Sequence, residues 1–118
     1  MAGSAAIELG YSDRRQSWEV DVISGDTEHE VRVSPDGTEV IEQRESGTAE
    51  SEDVTDLGAA SVLMSDAIGT ALAEVPGQIE EASLDDEEDM PVWEIEVEAE
   101  DGSITELLID AVSGERIR

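Results

Sequence analysis

The chain of 118 residues contains no cysteine, no lysine and no phenylalanine. Without cysteine there is no disulfide framework, no thiol nucleophile and no cysteine-bound metal. Without lysine, the six basic residues are all arginine, set against 32 acidic ones for a formal net charge of −26. That imbalance excludes nucleic-acid backbones and anionic membrane surfaces as partners, because both demand positive charge. No apolar run approaches the roughly 18 residues needed to span a bilayer. The opening Met1-Ala2-Gly3-Ser4 has neither a basic n-region nor an apolar h-region. It therefore reads as no signal peptide, or as a start from which an export signal has been removed.

Residues for chemistry are equally scarce. The one histidine, His29, falls in phase with Val31 and Val33 on the apolar side of a predicted strand, as a structural histidine would. No serine sits in a G-x-S-x-G elbow. We therefore expect no catalytic residues, no cofactor and no metal site, and a chain that is not an enzyme. The densest acidic run, Asp85-Asp86-Glu87-Glu88-Asp89, reads as a calcium loop only with Met90 where the sharp turn needs glycine. It is expected to be a solvated loop tip.

High charge with few aromatics is also the composition of disordered chains. The apolar residues, however, are patterned. Trp93, Ile95, Val97 and Ala99 alternate with Glu94, Glu96 and Glu98, and Trp18, Val20 and Val22 alternate with Glu19 and Asp21. Period two marks half-buried strands with an acidic outer face. Trp18–Val22 laid over Trp93–Val97 reveals an internal repeat 75 residues apart. A turn follows in each copy, Ser24–Thr27 and Glu100–Ser103; then strands Glu30–Val33 and Glu106–Ile109; then turns at Ser34–Gly37 and Asp110–Gly114. Val40 and Ile117 open a short last strand in each, and Ala6–Tyr11 matches Ile79–Leu84 as an opening strand. Each copy is a meander of about four antiparallel strands.

The predicted divisions are residues 1–41 as the first meander, 42–58 as an acidic linker, and 59–118 as a helix plus meander. The linker is inferred from its Glu, Ser, Gly, Thr and Asp content. The helix is inferred from Ala67, Ile68, Ala71, Leu72 and Val75, which form one narrow apolar stripe. Ser65 is expected to cap it and Asp66 to favour its dipole, and Pro76-Gly77 to stop it. The pattern can extend back to Ala59. The first copy has no such helix, so its sheet face would expose Trp18, Val20, Val31 and Val33, the mark of an interface.

The second copy resembles a known family. Ser65–Gly77 resembles the helix and Pro-Gly stop of PepSY domains, Pro91–Val97 their next strand, and Glu106–Ile117 their closing strand, Asp-Ala-x-x-Gly turn and last strand. The resemblance covers residues 62–118. It implies an α+β fold of antiparallel meanders with one helix packed on the sheet, in two PepSY-like repeats of which the first lacks its helix. It also implies a non-catalytic binding module, secreted or in the cell envelope, with a peptidase as partner. The family defines no catalytic residues to transfer.

The candidate interaction residues are thus Trp18, Val20, Val31 and Val33 on the open face, and Glu94, Glu96 and Glu98, joined by Glu106, on the acidic one. The expected partner is a protein: a peptidase, a basic surface steered by the acid, or a second copy of the chain. The acid excess and missing lysine also fit a halophilic or GC-rich source. If the charge is a halophilic adaptation, molar KCl will raise the melting temperature by screening self-repulsion. A melting temperature indifferent to KCl removes that reading.

Overall fold

The computed structural model describes residues 4–88 and 90–118. The opening Met1-Ala2-Gly3 and Asp89 of the acidic run lie outside them. The fold is α+β: a seven-stranded antiparallel sheet in the order β4-β3-β2-β1-β5-β6-β7, with two helices packed on it. The strands are β1 (Ser4–Ser12), β2 (Ser17–Ser24), β3 (Thr27–Val33), β4 (Val40–Thr48), β5 (Gly77–Glu87), β6 (Met90–Ala99) and β7 (Ile104–Asp110). The helices, α1 (Ser51–Ala59) and α2 (Met64–Glu74), both lie in the connection from β4 to β5.

The two meanders join into one sheet through β1 and β5, where Glu8 faces Ser83, Leu9 faces Ala82 and Gly10 faces Glu81. The register on one side of this seam recurs on the other. Leu9 pairs with Val20 as Ala82 pairs with Ile95, and Tyr11 with Trp18 as Leu84 with Trp93. Val20 pairs with Val31 as Ile95 pairs with Leu107, and Trp18 with Val33 as Trp93 with Ile109. Both β1 and β5 are interrupted by a register shift, between Ala6 and Glu8 and between Ile79 and Glu81. Even the last strand has its counterpart: Val33 faces Val40, and Ile109 is bridged to Arg116 in the C-terminal tail.

The core lies under α2. Met64, Ala67 and Ala71 of the helix meet Ala82, Trp93, Ile95, Val97, Leu107 and Ile109 of the sheet. Each large side chain buried there contributes about 1.5–3 kcal/mol. The alanine stripe lets the helix sit close on the strands, as its composition suggests. A second, smaller cluster of Ile7, Ile23 and Ala49 is packed by Leu57 of α1 and by Leu84.

Three expectations change. Residues 42–58, read as a linker, hold most of β4 and α1, so two helices rather than one rest on the sheet. Strand β4 is exposed along its whole length and therefore carries no apolar alternation to betray it. Charge pairs help hold it instead: Arg32 with Glu42 at 2.9 Å and Arg44 with Glu30 at 3.3 Å. Helix α1 offers only Val54 and Leu57 as large apolar residues, too few to mark a stripe. Ser65 does not cap α2. The helix begins at Met64, its N-cap is Leu63, and no side chain caps it. Tertiary bonds fix this start: the N–H groups of Ser61 and Val62 donate to the Ala111 carbonyl, and Trp93 Nε1 donates to the Val62 carbonyl. Asp66 does occupy the first turn. Finally, the acidic run is not wholly a loop tip, since β5 extends through Glu87.

The glycine that follows the helix has a concrete cause. A Cβ at Gly77 would stand 2.2 Å from the Glu98 carbonyl oxygen, a backbone atom that cannot swing aside. Gly77→Ala is expected to destabilise the fold by about 1–3 kcal/mol. Gly69→Ala, on the exposed side of α2 with open space around it, is expected to stabilise it by about 0.5–1 kcal/mol through helix propensity. Urea melts of the two variants check both signs.

Candidate interaction surface

Side chains alternate across a strand, so the register assigns each residue to a face. The helix-bearing face continues past the seam onto the first meander, through Trp18, Val20 and Val22 of β2 and Val31 and Val33 of β3. Their partners by register in the second meander are Trp93, Ile95, Val97, Leu107 and Ile109, which are at most 1% exposed beneath α2. In the first meander all five are only half-buried, because no helix covers them. Trp18 is thus not a core anchor like Trp93. Its ring packs edge-on against Tyr11, centroids 5.2 Å apart, and its Nε1 donates to the Pro35 carbonyl. His29 extends the same row beside Val22, with Glu45 opposite it.

Two recesses border this area. One, about 590 Å³, runs between the uncovered strands and α2, with Leu9 and Val20 on one side and Leu63, Met64 and Ile68 on the other. The second, about 570 Å³, lies at the Trp18 end and is lined by Tyr11, Trp18, Asp13, Glu80 and Glu98. The hydrogen bond between Glu80 and Glu98, followed by burial and repulsion, holds the Glu80 carboxyl above its usual value. Sequence reasoning named Glu98 but missed Tyr11, Val22 and Glu80. Tyr11 and Val22 were legible in the alternation; Glu80 was not, because it falls at a register shift.

The opposite face is acidic. Glu19 and Asp21 of β2, Glu8 of β1, Glu81 of β5, Glu94 and Glu96 of β6 and Glu106 of β7 follow one another across the sheet. Glu81, Glu94, Glu96 and Glu106 border a shallow hollow with Ser83, and Glu98 continues the row toward its edge. Five of the six arginines pair with glutamates. Among the described residues none of the five reaches Glu8, Asp21, Glu81, Glu94, Glu96 or Glu106. Burial, then neighbouring carboxylates, push the carboxyls of Glu8, Asp21, Glu28, Asp53 and Glu94 above their usual values. Among the described residues no three His, Asp or Glu side chains are placed to hold a metal ion.

Residues 62–118, just under half the chain, match the family model PepSY, "Peptidase propeptide and YPEB domain". A solved structure, described as a "putative lipoprotein" from Clostridium difficile 630, is similar with a TM-score of 0.54 and 21% sequence identity. The match covers 98% of this chain and 81% of that one. At that identity the likeness concerns the fold. No curated protein matches the sequence.

The carboxyls set a pH dependence with two limbs. Groups raised on folding bind protons more tightly in the native state. Their stabilising share is present below the ordinary values of 4.5 for Glu and 3.8 for Asp and is lost as pH rises through the raised folded values. Asp36, Asp101 and Asp110 behave oppositely. Hydrogen bonds from Ser34 and Thr38 lower Asp36, bonds from Ser103 lower Asp101, and backbone N–H groups of Val112 and Ser113 lower Asp110. Their share is lost as pH falls below the ordinary Asp value. The melting temperature is expected to rise as pH is lowered from neutrality toward the ordinary Glu value of 4.5, and to fall again below the ordinary Asp value of 3.8. Calorimetry across that range would contradict this if the first limb were flat or inverted.

Proposed function

We propose that the chain is a non-catalytic, PepSY-like protein-binding module, secreted or at the cell surface, whose partner is a peptidase that it binds or inhibits. The observation that carries this reading is the match of residues 62–118 to a family described by peptidase propeptides, on a half that is fully built. Beside it stands a half whose apolar face is open, and large exposed apolar faces are where proteins meet partners. The recurring register supports two PepSY-like repeats, the first without its helix. The surface location draws on the similar fold described as a lipoprotein. The acidic face, with Glu94, Glu96 and Glu98, would steer a basic partner toward the module.

The same open face favours a second reading, an assembly element that dimerises through the first meander. Trp18, Val20, Val31 and Val33 would then meet their copies.

Micromolar protein is expected to reduce the activity of at least one member of a panel of secreted metalloproteases, and to capture that enzyme in a pull-down. No inhibition and no capture would remove the peptidase reading. Light scattering across salt concentrations separates the dimer, since a monomer throughout removes the second reading.

A further inference from the structure

We propose that the uncovered face of the first meander is a seat for one amphipathic α-helix of about three turns, supplied by a partner protein, lying antiparallel to α2. This rests on the reading of the chain as a binding module but not on the partner being a peptidase.

The matched register places an approximate twofold axis through the Leu9–Ala82 pair, perpendicular to the sheet. Such an axis keeps a face on the same side and reverses directions within it. Helix α2 therefore maps onto the open strands, on the face it already occupies, pointing the other way. The residues that would receive the second helix are apolar like those that receive the first: Trp18, Val20, Val22, Val31 and Val33. The recess beside Leu9 and Val20 is bounded by Leu63, Met64 and Ile68, so an occupant there also gains a helix wall to pack against.

The start of the seat carries carboxyls, which suit a helix N-terminus. On the twofold, the start of the incoming helix falls near Trp18, beside the second recess, which Asp13 and Glu80 line together with Glu98 of the acidic face. Among the described residues no cation pairs with these three. Carboxylates at a helix N-terminus are favourable. Its end falls near His29, with Glu45 opposite. A second copy of this chain fits poorly, since each copy brings a net charge of −26. The occupant should carry a narrow stripe of small and branched residues on one side and basic residues elsewhere.

A peptide of residues 60–76 carrying Asp66→Lys and Glu74→Lys provides that stripe. It is expected to bind the full chain saturably, with a change in tryptophan fluorescence from Trp18. Val20→Asp or Val31→Asp is expected to weaken binding about tenfold or more, since an unpaired charge would be buried. Ile104→Asp, at a site 53% exposed and outside the seat, should leave it unchanged. Circular dichroism melts confirm that each variant folds. Absence of binding by the wild-type chain overturns the proposal, as does equal loss in the Ile104 variant or no loss in the Val20 and Val31 variants. A dimer that Val20→Asp dissociates also overturns it, by assigning the face to a second copy. Peptide binding without effect on any peptidase would uphold the seat and remove only the peptidase.

Discussion

Three residue pairs between β1 and β5 hold the two meanders in one sheet. Everything else is arranged around that seam. Antiparallel pairing there lets each meander present its apolar side chains to the same face and its carboxylates to the other. Gly10 lies between Glu19 and Glu81 on the acidic face and adds no side chain to the crowd. Leu9 and Ala82 meet on the apolar side, where a small residue lets α2 approach and a larger one fills the space beyond it. A slip of one residue at the seam would turn these faces over and bring carboxylates beneath the helix.

The cost of the charge is distributed by the same geometry. The arginines pair mainly near edges and ends: on β3 and β4, in the β1–β2 turn, and in the C-terminal tail. The middle of the acidic face is left to water and ions. Exposed ion pairs of this kind contribute little each, and the stability of the fold must come from the covered half, where Trp93, Ile95, Leu107 and Ile109 are sealed. The first meander borrows that stability through the seam while keeping its own apolar face half open.

Much of this was legible in the sequence because strands with one wet face advertise themselves. The alternation of Trp93, Ile95 and Val97 with three glutamates defines β6 and both of its faces, and the same pattern with Trp18 defines β2. The stripe from Ala67 to Val75 defines α2, although its start was set by bonds to Ala111 and Trp93 that no local pattern reveals. Strand β4 escaped because an exposed edge strand has no dry face to encode. Helix α1 escaped because a short helix resting on one cluster needs only Leu57 to anchor it. The open face was legible as four residues; that it adjoins a wall made by α2, and a pair of hydrogen-bonded glutamates, depends on the seam.

The C-terminal tail gives the sheet a further property. Its bridge at Arg116, with the Ile117 N–H donating to the Leu108 carbonyl and the Leu108 N–H donating to the Arg118 carbonyl, occupies part of the outer edge of β7. At the far side, β4 carries Glu42, Arg44 and Glu45 and bends at Gly47, whose φ is 129°. Both borders of the sheet are thus poor templates for another strand. Growth of the sheet from chain to chain would make open-ended fibres, whereas contact through a face ends when the face is filled. The architecture therefore disfavours open-ended growth of the sheet, even though one of its faces is half open.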